Sequence, residues 1–209
     1  MEQFVRLEGI AAPLLRPNID TDVIIPSREI TSPSREGYGD KLFASWRYLE
    51  PDRRPDPSFV LNRAPFDRAE ILIAGENFGC GSSREMAVWA IRQFGFRCVI
   101  APSFGAIFRA NCYRNGVLPV ALPQATVEAL AREAESGALV LGVDLEACEV
   151  RAPGGRAYRF DAPGPEREMM LAGLDEIGLT LKRGEAIAAF QARDRERRPW
   201  IWPAGGGAG

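Results

Sequence analysis

The chain has 209 residues, 46% hydrophobic and 26% charged, with 26 Lys and Arg against 28 Asp and Glu. That is enough chain for one sizeable core, and the near-neutral balance lacks the basic excess of a nucleic-acid binder. No apolar run approaches the ~20 residues that span a bilayer, and Met1-Glu2-Gln3-Phe4 lacks the basic-then-apolar layout of a signal peptide, so a cytoplasmic protein is expected, with neither nucleic acid nor membrane as partner.

The elements follow in chain order. Phe4-Val5-Arg6-Leu7 alternates and predicts a strand that ends at Glu8-Gly9. Asn18-Ile19-Asp20-Thr21-Asp22 is a polar turn whose Asn and Asp side chains can bond their own backbone. Val23-Ile24-Ile25 is a short apolar run stopped by Pro26. Residues 27–65 are rich in Ser, Arg, Gly and Pro, a loop-rich insertion with Phe43, Trp46 and Tyr48 as anchors. A loop that long inside a compact domain is usually functional or mobile.

From Glu70 the texture alternates: strand Ile71–Ala74, helix Ser83–Phe94, strand Cys98–Ala101, a helix striped by Phe104, Ile107, Phe108 and Cys112, strand Leu118–Leu122, and helix Ala125–Glu135 with Val127, Leu130 and Ala134 inward. That order predicts an α/β fold with parallel strand pairs. Val140–Val143 follows, then a hairpin of 148–151 and 157–160 around Gly154-Gly155. Glu168–Gly173 and Glu185–Arg193 read as helices. The expected organisation is one domain over 1–193 and a flexible tail over 194–209.

The most informative run is Gly75-Glu76-Asn77-Phe78-Gly79-Cys80-Gly81-Ser82-Ser83-Arg84-Glu85, between a strand and a helix. Ser82 and Glu85 have the S-x-x-E spacing of a capping box. Glycines let the backbone approach a ligand, a helix N-terminus attracts an anion, and Arg84 offers a guanidinium fork. The run therefore reads as a carboxylate or phosphate site with two hydroxyls beside it, though a capped helix after a tight turn needs the same residues. It matches neither the phosphate loop, nor the dinucleotide fingerprint, nor the nucleophile elbow.

The chain has no histidine, which removes the usual general base and zinc ligand. Cys80, Cys98, Cys112 and Cys148 form no C-x-x-C pair, so no metal site is expected on this chain.

Together with Asn18-Ile19-Asp20-Thr21-Asp22-Val23-Ile24-Ile25-Pro26, the segment Glu76–Glu85 closely resembles the aconitase superfamily, and within it the small-subunit family of isopropylmalate dehydratases. Leu42–Leu49, Val99–Phe104 and Gly173–Leu181 match as well, so the resemblance covers about Leu7 to Gln191. It implies a β/β/α swivelling domain like the last domain of aconitase. It implies a 4Fe–4S cluster held by a separate large subunit, a small dicarboxylic acid as substrate, and an active site shared between the two chains. The small subunit would be active only with the large one, in a hydro-lyase that isomerises 2-isopropylmalate and 3-isopropylmalate in leucine biosynthesis.

In the family motif G-S-S-R-E the first serine is the catalytic base and the arginine binds a substrate carboxylate. Those roles fall on Ser82 and Arg84, with Ser83 orienting substrate. Asn77, Gly79, Cys80, Gly81, Asp20, Thr21 and Asp22 would shape the site, and Arg28 is a candidate substrate contact. Two departures point to a divergent branch: Met86 stands where relatives commonly have His, and Ala162–Glu168 lacks the usual D-x-F-R-x pattern. Substrate choice in the family comes partly from the residues after the I-I-P run, here Arg28-Glu29-Ile30-Thr31-Ser32, and Glu29 makes an isopropyl tail less secure. The alternatives are a sister dehydratase for methylmalate/citraconate or dimethylmalate, and a non-catalytic stabilising subunit.

Overall fold

The structure is a computed structural model that describes residues 1–31 and 34–202. The chain divides into two compact units, Met1–Gly173 and Leu174–Gly209.

In the first unit, strand β1 (Arg6–Leu14) runs on through Gly9 instead of ending there. A Cβ at Gly9 would lie 2.3 Å from Glu70 Oε2, so the glycine marks a close approach to that side chain, not a turn. The short apolar run after the polar turn begins inside a helical turn. Asp20 Oδ1 accepts the Val23 N–H at 2.7 Å and starts a single helical turn, α1 (Thr21–Ile24), with Ile24 and Ile25 fully buried. The insertion over 27–65 holds short 3-10 turns, α2 (Ala44–Arg47) and a two-stranded ribbon of β2 (Tyr48–Leu49) and β3 (Arg54–Pro55). Tyr38, Leu42 and Phe43 sink into the main core and Trp46 stacks on Phe43, with ring centroids 5.8 Å apart, so apolar burial ties the insertion down.

The alternating region follows as β4 (Ile71–Ala74), α3 (Glu85–Phe94), β5 (Cys98–Ala101), α4 (Ala106–Arg114), β6 (Leu118–Ala121) and α5 (Gln124–Ser136). Every residue of β4 and β5 is buried, as continuous apolar strands covered on both faces must be. Helix α3 turns Ala87, Val88, Ala90 and Ile91 inward, and α5 buries Val127, Leu130 and Ala134. In α4, Phe108 and Cys112 are buried, but Ile107 is exposed and Phe104 precedes the helix. Then come β7 (Val140–Asp144), β8 (Glu149–Ala152), β9 (Arg156–Arg159) and α6 (Gly164–Ala172).

The sheet has seven strands in the order β6-β5-β4-β1-β7-β8-β9. Its hinge is β1. Residues Arg6–Ile10 pair antiparallel with β7, opposite Asp144–Val140, while Ala11–Leu14 pair parallel with β4, opposite Ile71–Ala74. One half is therefore a parallel α/β layer and the other an antiparallel meander. This is the expected α/β class.

Helix α3 starts at Glu85, two residues later than its periodicity suggests, and the capping box is not made. Ser82 faces Thr21, and Glu85 Oε1 instead accepts Asn115 Nδ2 at 3.0 Å. A partner distant in sequence has taken each half of the local motif.

The second unit contains α7 (Glu176–Leu181), with Asp175 Oδ1 accepting the Gly178 N–H at 2.7 Å, and α8 (Gly184–Arg197). The segment expected as a tail thus begins inside α8. Asp194 is buried and accepts Arg198 Nε at 2.8 Å and Trp202 Nε1 at 3.2 Å. Ser32 and the rest of the expected tail, 203–209, lie outside the described residues.

Candidate active site

The loops leaving the C-terminal ends of β1, β4 and β5 are laced together by backbone hydrogen bonds. That edge of a parallel sheet is where ligands collect in open α/β folds. Asn18 N–H donates to Glu76 O at 2.9 Å, Gly79 N–H to Ile19 O at 2.7 Å, and Thr21 N–H to Cys80 O at 3.1 Å. On the other side Phe78 N–H donates to Ser103 O at 3.0 Å and Gly105 N–H to Phe78 O at 2.9 Å. The glycine turn is the middle ply of three.

Gly79 shows why glycine is needed here. Its φ is +71°, and a Cβ would lie 2.2 Å from Cγ of the buried Phe108 ring. Gly81 is exposed at φ +86°. Asn77 also adopts a positive φ of 56°. Its N–H donates to Ser103 Oγ and its Nδ2 to Asn18 Oδ1, both at 2.8 Å. Ser103 and Asn18 lie in stretches that carry the resemblance but were not among the candidate site residues. For Ser103 the available signal was its place just past the end of an apolar parallel strand.

Ser82 and Ser83 are exposed. Thr21 is 1% exposed, and its Oγ1 donates to Ser82 O at 2.9 Å and lies 3.3 Å from Ser82 Oγ. Arg84 Nη1 bonds Asp22 Oδ1 and the Ile25 carbonyl, the latter at 3.2 Å. Nε and Nη2 of Arg84 take no hydrogen-bond partner among the described residues, so one edge of the fork remains available. The one-turn helix α1 and its flanks therefore touch both residues of the motif: Thr21 at Ser82, Asp22 and Ile25 at Arg84. Cys80 contributes its backbone, as the acceptor for Thr21.

Arg28 is not brought to the turn by any described contact. Its Nη2 donates to Ser45 Oγ at 3.2 Å and stands 3.8 Å from Glu50. Glu29 is buried and accepts Arg53 Nη1 at 2.7 Å, so it is a structural anion inside the insertion. Met86 is partly buried against the main core. Among the described residues no group of three or more His, Cys, Asp or Glu could hold a metal ion. Burial pushes the thiols of Cys98 and Cys112 well above their ordinary range, which disfavours the thiolate a metal requires. No helix among the described residues is long and apolar enough to cross a membrane.

Comparison with known proteins gives the family. Residues 1–125 match the aconitase C-terminal domain, and residues 176–203 match the C-terminal domain of the 3-isopropylmalate dehydratase small subunit. The chain is 56% identical to the 3-isopropylmalate dehydratase small subunit of Cupriavidus necator, over 96% of this chain and 98% of that protein. It is 50% identical to the protein of the same name from Rhodospirillum centenum, over 96% and 98%. The crystal structure of 3-isopropylmalate dehydratase from Methanocaldococcus jannaschii superposes with a TM-score of 0.63 at 27% identity, covering 89% of this chain and 99% of that one. The chain belongs to the 3-isopropylmalate dehydratase small-subunit family, built on the aconitase C-terminal domain fold.

Proposed function

We propose that this chain is the small subunit of a two-chain hydro-lyase of the cytoplasm, which interconverts 2-isopropylmalate and 3-isopropylmalate by dehydration and rehydration in leucine biosynthesis. The observation that carries the reading is the pairing of an exposed serine with a half-free guanidinium on one buttressed turn, in a chain 56% identical to a protein of that name.

Ser82 takes the proton from the substrate carbon next to the one that loses hydroxide. The start of α3 favours the negative charge this serine must carry as a base. The free edge of Arg84 grips a substrate carboxylate at two points, Ser83 orients the substrate, and Arg28 is assigned an outer contact. Removing a proton at one carbon and hydroxide at its neighbour leaves an alkene, and water returning with opposite regiochemistry completes the isomerisation. A 4Fe–4S cluster on the large subunit would supply Lewis acidity toward the departing hydroxyl. This chain offers no ligand set for it among the described residues. The burial of Glu29 on Arg53 supports an apolar substrate tail, since the carboxylate is drawn away into the insertion.

The test is turnover of the complex reconstituted with its large subunit. Ser82→Ala should lower kcat by orders of magnitude at similar KM, with the fold intact, and the isolated small subunit should turn over nothing. Near-normal turnover in the variant would return Ser82 to a purely structural role. Faster turnover of methylmalate or dimethylmalate than of isopropylmalate would reassign the substrate.

A further inference from the structure

We infer that Thr21 is a positioning residue for Ser82, setting the direction of its hydroxyl and supplying a proton donor to it once it is ionised. The inference deepens the reading of Ser82 as the base and rests on it.

One hydrogen-bond arrangement satisfies both contacts of the resting pair at once. Thr21 Oγ1 touches two atoms of residue 82: the carbonyl oxygen at 2.9 Å and Oγ at 3.3 Å. A carbonyl only accepts, so the single Thr21 proton points to Ser82 O. The contact between the two hydroxyls is then a bond only if Ser82 O–H donates to Thr21. In that arrangement the Ser82 proton is held inward, toward α1, and its lone pairs face away from it. Thr21 cannot drift from this position. It is 1% exposed, its N–H is fixed on Cys80 O at 3.1 Å, its carbonyl accepts Ile25 N–H at 3.0 Å, and Asp20 caps the turn it begins.

When Ser82 has lost its proton to solvent it can donate nothing. Rotation about the Thr21 Cβ–Oγ1 bond then moves the Thr21 proton from Ser82 O to Ser82 Oγ, with no movement of heavy atoms. The neutral bond becomes a charge-assisted one, roughly twice as strong. Asp20, Asp22, Arg84 and Glu85 are the charged groups nearest in sequence to this pair. Asp22 and Arg84 bond each other, Asp20 bonds Val23, and Glu85 bonds Asn115, so each already has a partner.

The test compares Thr21→Val, which keeps the shape, with Thr21→Ser, which keeps the hydroxyl, in the complex with the large subunit. Thr21→Val should lower kcat roughly ten- to a hundredfold, with KM changed less than about twofold. Thr21→Ser should recover most of the loss, and Thr21→Val should add nothing in a Ser82→Ala background. Wild-type kcat in Thr21→Val, equal damage in Thr21→Ser, or an additive loss in the double variant would overturn the inference. If Ser82→Ala itself stays active, the base reading fails and this one with it. If Ser82→Ala is inactive while Thr21→Val is normal, only the role of Thr21 fails. Should Thr21→Val not assemble, Thr21→Ala against Thr21→Ser carries the same comparison.

Discussion

At Arg84 one side of the guanidinium is engaged within the chain and the other is not. Nη1 bonds Asp22 and the Ile25 carbonyl, which orients the plane, while Nε and Nη2 form the edge that a carboxylate can meet at two points. Lysine keeps the charge but has one nitrogen for all of these contacts. Arg84→Lys should therefore lower kcat/KM clearly, and Arg84→Ala should lower it further, by roughly a hundredfold from wild type, because the substrate carboxylate then enters without its partner. Steady-state kinetics on the reconstituted complex, with thermal melts run alongside to separate misfolding from lost recognition, test the order wild type, Lys, Ala. Equal activity of Lys and wild type would reduce Arg84 to a diffuse positive field.

Among the elements, the corner between β7 and β8 is closed by a carboxylate whose charged form is favoured. Asp144 closes it: Oδ1 accepts the Ala147 N–H at 2.8 Å, and Oδ2 pairs with Arg6 Nε at 2.9 Å, joining β7 to the start of β1. The Ala147 amide first, then Arg6 and Arg151, hold this buried carboxyl below its ordinary range against the opposing effect of burial. A carboxylate with a lowered folded-state pKa contributes stability fully present above its unfolded value of about 3.9, and that contribution disappears as pH falls through the folded value. Asp144→Asn should therefore melt lower than wild type at neutral pH, with the gap closing below about pH 4. Melting curves of both proteins from neutral to acid pH decide this. A gap that is constant with pH would mean that charge at Asp144 contributes nothing.

At the scale of the molecule, all seven strands of the sheet and the candidate site lie within Met1–Gly173. The start of the chain is fastened to the end of α6, with the Met1 ammonium on Gly173 O at 3.1 Å, Gln3 Nε2 on Leu171 O at 2.7 Å and Phe4 N–H on Met170 O at 3.0 Å. A chain ended after Gly173 should thus keep a cooperative melt and a native near-ultraviolet circular dichroism spectrum. A broad, non-cooperative transition would show that the first unit needs Leu174–Gly209 in order to fold.

Strands β4, β5 and β6 and helices α3 and α5 were legible in the sequence because each is encoded by neighbours: an unbroken apolar run, or apolar residues at helical spacing. So were Ser82 and Arg84 as candidates, since the motif that carries the family resemblance is contiguous. What the sequence could not decide depends on residues far apart along the chain. Gly9 reads as a stop until Glu70 is seen beside it. Ser82 and Glu85 read as a capping box until Thr21 and Asn115 are seen to hold them, 61 and 30 residues away. Glu29 reads as a charge against an apolar substrate tail until it is seen buried on Arg53, 24 residues away. Local periodicity determines which segments become helix or strand, because those hydrogen bonds and apolar faces repeat every few residues. Only the tertiary structure decides where a polar side chain points, because its partner is whichever loop the sheet topology brings alongside.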